Sequence, residues 1–210
     1  MILTAQLKVV TLIVQLKRIT MKIINSTFGR IAVIIIAVFT ISAFATPESV
    51  KEKTLDDNAM MIADWIWAKE YTMAYIESMP ETGINLKPTD SVRSFAEQML
   101  HITSANVGFV ASVTSMPPTI EDVRGLEKNE SYKNKAALTE VVAKGYDYVI
   151  AALEATSSEK LAEQMTLFGQ YEMTGAEAVH KAFIHQNHHR GQCAVYIRLA
   201  GGTPAPMKLL

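Results

Sequence analysis

The chain has 210 residues, of which 49% are hydrophobic, and its formal net charge is −1. A near-neutral balance argues against a nucleic-acid-binding protein, which usually presents a strongly basic face. Because Cys193 is the only cysteine, no internal disulfide can form, and the fold must rely on a hydrophobic core that this length and composition can supply.

The N-terminal region is typical of a secretory signal peptide, predicted over residues 1–45. Lys22 and Arg30 precede an uncharged apolar run, residues 31–45, which ends in Ala-Phe-Ala at Ala45. A basic start, a short apolar core and small residues flanking one other residue are the parts of such a signal. The run is shorter than the roughly 20 residues that span a bilayer, so we expect no stable membrane span after cleavage. An uncleaved N-terminal anchor is the alternative.

The same region sets the limits of the predicted domain. Met21 followed by Lys22 would begin a cleaner signal peptide, so a start at Met21 is an alternative to a start at Met1. Cleavage would leave a linker at residues 46–52 and one domain at residues 53–205. An exported domain without disulfides is typical of a bacterial periplasm, which is the predicted location.

Hydrophobic periodicity predicts four amphipathic helices, at residues 57–78, 91–115, 134–155 and 174–200. Pro117 and Pro118 end the second helix, and Thr174 with Glu177 forms a capping box that opens the fourth. The two longest connections are a polar stretch at residues 119–133 and a variable stretch at residues 156–173. Strand signals are almost absent, so the pattern predicts an all-α protein, a four-helix bundle.

Four of the five histidines fall between His180 and His189. His185 and His189 are four residues apart, which places both imidazoles on one helix face, about 6 Å apart along the axis. Imidazole suits zinc, nickel, iron or copper, and such a pair needs at least one further ligand. His101, outside the cluster, is the natural third ligand. Two histidines four residues apart are, however, equally compatible with two unrelated surface residues. Cys193 could supply a thiolate, but we favour a small buried hydrophobe there.

The remaining candidates are sorted by helix face. His180 lies on a side of the fourth helix that is predicted to be solvated, so we expect no ligand role for it. His188 shares its side with the apolar residues Ile184, Val195 and Leu199. We expect His188 to be packed, to orient a metal ligand, or to lie at a subunit contact.

The second helix presents His101 off its main apolar stripe, so periodicity alone predicts exposure. That face is small and polar, however, which also suits an open, water-filled metal site. Glu97, four residues earlier, is predicted to bind the ion or to orient the imidazole. A solvated carboxylate is the alternative.

The stretch His-Gln-Asn-His-His-Arg-Gly-Gln at residues 185–192, with its continuation to Pro204, resembles the C-terminal signature of the DinB family of metal-binding four-helix proteins. Residues 91–102 resemble the segment in which that family supplies its first histidine. The resemblance implies three metal ligands, His101, His185 and His189. It further implies an open metal position for water or substrate, an up-down-down-up helix order and frequent homodimers.

Three functions are compatible with this reading. One divalent transition ion, zinc, nickel or iron, held by three neutral ligands would keep its full charge, so we favour a metal-dependent hydrolase acting on an unknown small molecule. Relatives of that family also include thiol-dependent transferases. The thiols that they use are mainly cytosolic, so the predicted export of this protein favours hydrolysis over thiol transfer. The third is a non-catalytic, stress-related module that binds metal or a small ligand. A di-iron enzyme is disfavoured, because its paired Glu-x-x-His motifs are missing.

Overall fold

The computed structural model describes residues 15–18 and 48–207, and for residues 48–57 it describes the backbone alone. The signal peptide predicted over residues 1–45 lies outside the described residues, apart from a helical segment at 15–18, and so does the alternative start at Met21. Within the described ranges, no helix combines the length and the apolar character needed to cross a membrane.

Four long helices confirm the all-α bundle that periodicity predicts. In chain order the helices are α1 (Glu48–Ser78), α2 (Phe95–Thr114), α3 (Lys135–Glu154), the short α4 (Ser158–Ala162) and α5 (Gly175–Leu199). Short 3₁₀ segments occupy the connections at Glu81–Gly83, Val123–Lys128 and Glu130–Tyr132. The linker predicted at residues 46–52 is helical from Glu48, because the chain from Glu48 to Lys53 is rich in residues with high helix propensity.

Side-chain caps determine where two of the helices begin. The Ser94 hydroxyl accepts the backbone N–H of Glu97, and the Glu97 carboxylate accepts the backbone N–H of Ser94. This capping box starts α2 at Phe95, later than predicted. Thr174 and Glu177 form the predicted capping box at the start of α5.

Contacts between α1 and α3 show that these helices are antiparallel. Lys69 pairs with Asp147 in the C-terminal half of α3. Lys135, at the start of α3, donates a hydrogen bond to the backbone carbonyl of Glu77, near the end of α1. The two helices therefore run in opposite directions.

The direction of α5 completes the topology. Trp65 in α1 packs edge-on against Phe183 in α5, and Gly202 just after α5 lies close to the Ser78 carbonyl at the end of α1. The two helices are therefore parallel. The first turn of α2 meets the last turn of α5, so that pair is antiparallel. The order is up, down, down, up, as the family resemblance implies.

A buried polar layer joins α1, α3 and α5. Thr72 Oγ1 lies 2.8 Å from Tyr146 OH, and Tyr146 OH donates to Gln186 Oε1. The Arg190 guanidinium, only 4% exposed, donates to Thr72 Oγ1 at 3.1 Å and lies 4.7 Å from the Tyr71 ring centre. Such buried hydrogen bonds favour one packing arrangement, which here includes the rotation of α5 about its axis.

The variable connection contains a β-hairpin that periodicity does not predict. Its antiparallel strands are β1 (Gln164–Leu167) and β2 (Tyr171–Thr174). Four residues are too few for alternation to stand out from the sequence. In the turn, Phe168 has φ 54° and Gly169 has φ 70°. The left-handed conformation costs a residue with a side chain roughly 1–2 kcal/mol, so Phe168 is an unusual choice there.

Candidate metal centre

The three histidines predicted as a set lie together between α2 and α5. One ring nitrogen from each of His101, His185 and His189 lies within 4.8 Å of the others. The Nε2 atoms of His101 and His185 are 3.3 Å apart, and the ring centres of His101 and His189 are 4.5 Å apart. The exposure that periodicity predicts for His101 is wrong, because its face of α2 packs against α5 and half-buries the ring.

Two of these rings are oriented through their second nitrogen. His101 Nδ1 lies 2.5 Å from Glu127 Oε1, and His189 Nδ1 lies 2.8 Å from Gln98 Oε1. Both partner atoms are acceptors, so each Nδ1 carries the proton, and the lone pair is left on Nε2. His185 differs, since its Nδ1 is buried and has no hydrogen-bond partner among the described residues. The His185 nitrogen that faces the triad is Nε2, which lies 3.3 Å from His101 Nε2.

Burial keeps the site ready to bind a cation. The pKa of His189 is lowered to about 4 by burial and by the neighbouring His101 and His185. The pKa of His185 is also lowered, first by burial and then by His101. Partial burial opposes ionisation of Glu127, but hydrogen bonds from Arg93 and His101 outweigh it and lower the pKa of that carboxyl. At neutral pH the site therefore offers neutral imidazoles at His185 and His189 and an anionic carboxylate at Glu127.

A model of the DinB family matches residues 51–210 of this chain. The chain belongs to the DinB family. Proteins of this family bind metal in general, and the histidine triad lies where a metal can be held. A comparison with curated proteins finds no match.

Solved structures of DinB-like proteins share the fold. A DinB-like protein from Bacillus subtilis is 21% identical, with a TM-score of 0.56, and the match covers 70% of this chain and 96% of that one. A DinB-like protein from Bacillus cereus is 18% identical, with a TM-score of 0.60, covering 70% of this chain and 95% of that one. These likenesses agree with the all-α bundle and bear on the fold alone.

The structure gives Glu97 a different task from the predicted one. Its oxygens accept the Ser94 backbone N–H at 2.8 Å and the Lys133 ammonium at 3.0 Å. Partial burial opposes ionisation of Glu97, but these hydrogen bonds outweigh it and lower its pKa to about 2. Glu97 thus caps α2 and anchors Lys133, while the carboxylate that contacts His101 is Glu127.

Two residues that orient the histidine rings, Glu127 and Gln98, are not predicted from the sequence. Glu127 lies in the 3₁₀ segment Val123–Lys128, inside the connection that reads only as polar. Gln98 is three residues before His101 on α2, yet its amide oxygen contacts His189 across the helix pair. Neither contact leaves a local spacing signal, because both partners are distant in sequence.

The other candidates in this DinB chain stay outside the triad. His188 is exposed, and its Nε2 lies 3.0 Å from the Gln192 amide nitrogen. Its ring centre is nevertheless 5.0 Å from that of His189. His180 is exposed and borders a separate small cavity. Burial raises the pKa of Cys193 to about 12, so its thiol is protonated, which fits the predicted role of a small buried hydrophobe.

A cavity of about 920 Å³ opens beside His189. Its charged lining consists of four cationic and three anionic side chains, Lys87, Arg93, Arg124, Lys128, Asp90, Glu97 and Glu127. This volume suits a small molecule, since ligand pockets commonly measure about 300–1,000 Å³. An aromatic ring adjoins the triad at His185, since the Phe109 ring centre lies 6.3 Å from that of His185.

Proposed function

We propose that this DinB protein binds one divalent transition ion, zinc, nickel or iron, through His101, His185 and His189, and that it hydrolyses a small molecule. The observation that carries the proposal is the convergence of three imidazole nitrogens within 4.8 Å. Zinc, nickel and iron all bind imidazole nitrogen well.

The surrounding residues support an ion at this position. Glu127 and Gln98 hold two rings by the partner bonds that commonly fix metal-binding histidines. A divalent ion with three neutral ligands would supply a Lewis acid for hydrolysis. Arg93 donates to Glu127 at 2.6 Å, which keeps that carboxylate anionic while it holds the His101 proton.

Two side chains that would have closed the site as a fourth ligand are engaged elsewhere. Glu97 is held by Ser94 and Lys133, and the fully buried Cys193 does not belong to the cluster of possible ligand atoms that lie within 4.8 Å of one another. Structural zinc sites usually have four protein ligands, whereas catalytic ones keep a position open. An open position beside a cavity of about 920 Å³ supports catalysis over a purely structural ion.

Metal analysis of protein purified from its native cell, followed by a screen of esters and amides, tests this proposal. We expect about one transition ion per chain and a hydrolytic rate that disappears with a chelator and returns with metal. The His185→Ala variant serves as the matched control, because it should lose both the ion and the rate. A rate that survives chelation, or a metal-free native protein, would contradict the proposal.

We also propose that the mature protein is exported to the periplasm. The support is the basic, apolar and small-residue pattern of residues 1–45, which lies outside the described residues. Sequencing the mature N-terminus should find Thr46. Recovery of the full-length chain from the cytosol would refute cleavage and export.

A further inference from the structure

We propose that Phe109 and Phe168 form a ligand-binding surface, the aromatic wall, which receives an apolar group of the small molecule bound at the histidine triad. The inference rests on the proposed function, since the ligand has to reach a metal held there. It adds a class of ligand: one with a metal-binding polar head and an aromatic or apolar substituent.

The aromatic wall is continuous with the triad. The Phe109 ring centre on α2 lies 6.3 Å from that of His185 at an interplanar angle of 32°. Phe168, in the hairpin turn, packs edge-on against Phe109 with ring centres 4.9 Å apart at 79°. Aromatic rings attract one another at separations of about 4.5–7 Å, so both distances lie in the range of direct contact. A ligand at the triad would thus find aromatic surface beside it.

The backbone at Phe168 indicates that its side chain is held there for a purpose beyond folding. Phe168 and Gly169 have consecutive positive φ angles of 54° and 70°. Hairpin turns with two such residues usually begin with Asn, Asp or Gly, and a bulky residue at positive φ is an outlier. Backbone outliers of this kind cluster at ligand-binding sites.

Packing of the hairpin does not account for this outlier. Phe168 remains 60% exposed, so its contact with Phe109 covers only part of the ring. Phe109 itself is half-buried and adjoins the triad. Phe168 thus combines an unfavourable backbone conformation with a large apolar ring that is mostly exposed to water. A ligand that covers the ring would explain both features.

The two sides of the triad differ in chemistry. The cavity beside His189 is lined by charged side chains of both signs, whereas the Phe109 ring adjoins His185. A ligand with its polar group at the triad can therefore direct an apolar substituent toward the aromatic wall. A uniformly polar ligand would leave Phe168 exposed and gain nothing from it.

Cobalt(II)-loaded protein titrated with two hydroxamates tests the inference through the visible spectrum of the ion. Acetohydroxamate and benzohydroxamate share a metal-binding head and differ in the apolar group. We expect the parent protein to bind benzohydroxamate about tenfold more tightly than acetohydroxamate, a preference that aromatic contact can supply. Phe109→Ala and Phe168→Ala should each reduce this preference with little change for acetohydroxamate. Tyr171→Ala is the control, because Tyr171 is an exposed aromatic residue on the same hairpin.

Phe168→Asn separates a ligand-binding role from a structural one. Asparagine suits the first left-handed position of the turn, so this variant should unfold at the same temperature as the parent or higher and still lose the preference for benzohydroxamate. A variant that unfolds at a lower temperature and keeps the preference would overturn the inference. Cobalt uptake with equal affinity of the parent for both hydroxamates overturns this inference alone, whereas a protein that takes up no cobalt at the triad overturns the proposed function with it.

Discussion

At the scale of single residues, the candidate site depends on which histidines contribute a ring nitrogen. His101→Ala and His185→Ala should each lose the bound ion, because two imidazoles alone hold a divalent metal poorly. His180→Ala should keep it, since His180 is exposed and lies outside the triad. The metal content of the three variants after dialysis tests these predictions. His101→Ala is the decisive variant, and unchanged metal content in it would exclude His101 as a ligand.

The carboxylate behind His101 gives a second prediction at this scale. Glu127→Gln keeps the shape of the side chain but removes the charge that faces His101 Nδ1 at 2.5 Å. We expect metal affinity to fall by roughly 10- to 100-fold, the usual effect of losing a residue that orients a metal ligand. Competition against a chelating dye measures the change.

Glu97→Gln is the matched control for Glu127→Gln. Glu97 is also a partly buried carboxylate in the cavity lining, but it contacts Ser94 and Lys133 rather than a histidine. Its substitution should leave metal affinity unchanged. Equal losses of affinity in the two variants would show that charge in the cavity matters and that the specific contact with His101 does not.

At the scale of elements, the start of α2 depends on the ionised form of Glu97. The pKa of Glu97 is about 2 in the folded protein, below its ordinary value of 4.5. Its ionised form therefore stabilises the fold above about pH 4.5, and this contribution is lost as the pH falls toward 2. In urea titrations across this range, the free energy of unfolding should fall by about 1–2 kcal/mol more in the parent than in Glu97→Gln.

Glu130→Gln provides the comparison for this cap. Glu130 pairs with the same Lys133, but its side chain is 80% exposed, so the pair contributes little. The free energy of unfolding of Glu130→Gln should therefore fall with decreasing pH as it does in the parent. If the profile of Glu97→Gln also follows the parent, the carboxylate does not stabilise α2 in the way the capping box indicates.

At the scale of the whole molecule, α5 carries an apolar stripe that the described part of the chain leaves exposed. Its large members are 48%, 54% and 60% exposed, in the order Ile184, Val195 and Leu199. They share a side of α5 with His188, for which a subunit contact is one of the predicted roles. Covering such a stripe releases water from apolar surface, which favours association of two copies.

We therefore predict a homodimer that uses this stripe. Light scattering at micromolar concentration should give the mass of two chains for the parent and of one chain for Leu199→Glu, because the new charge would be desolvated in the contact. Ile66→Glu alters a residue of similar exposure on α1 and should remain dimeric. A parent protein that is monomeric under these conditions contradicts the prediction.

Local sequence patterns suffice to predict the features that depend on neighbours within one or two helical turns. The spacing of His185 and His189 places their rings on one face of α5 in any structure that keeps the helix. Likewise, the capping box of Thr174 and Glu177 starts that helix as predicted. The all-α class is also predictable, because periodicity identifies four apolar stripes and four amphipathic helices bury such stripes by packing against one another.

The residues that complete the site from distant parts of the sequence become visible in the packed fold. Periodicity predicts an exposed His101 and gives Glu97 as its partner, whereas the antiparallel packing of α2 on α5 brings His101 to the other histidines. Glu127 reaches it from a connection with no periodic pattern, and the hairpin carries Phe168 to Phe109. These contacts depend on the register and rotation of packed elements. Those are set by the fit of the whole core, including the buried polar layer around Arg190, and local spacing does not encode them.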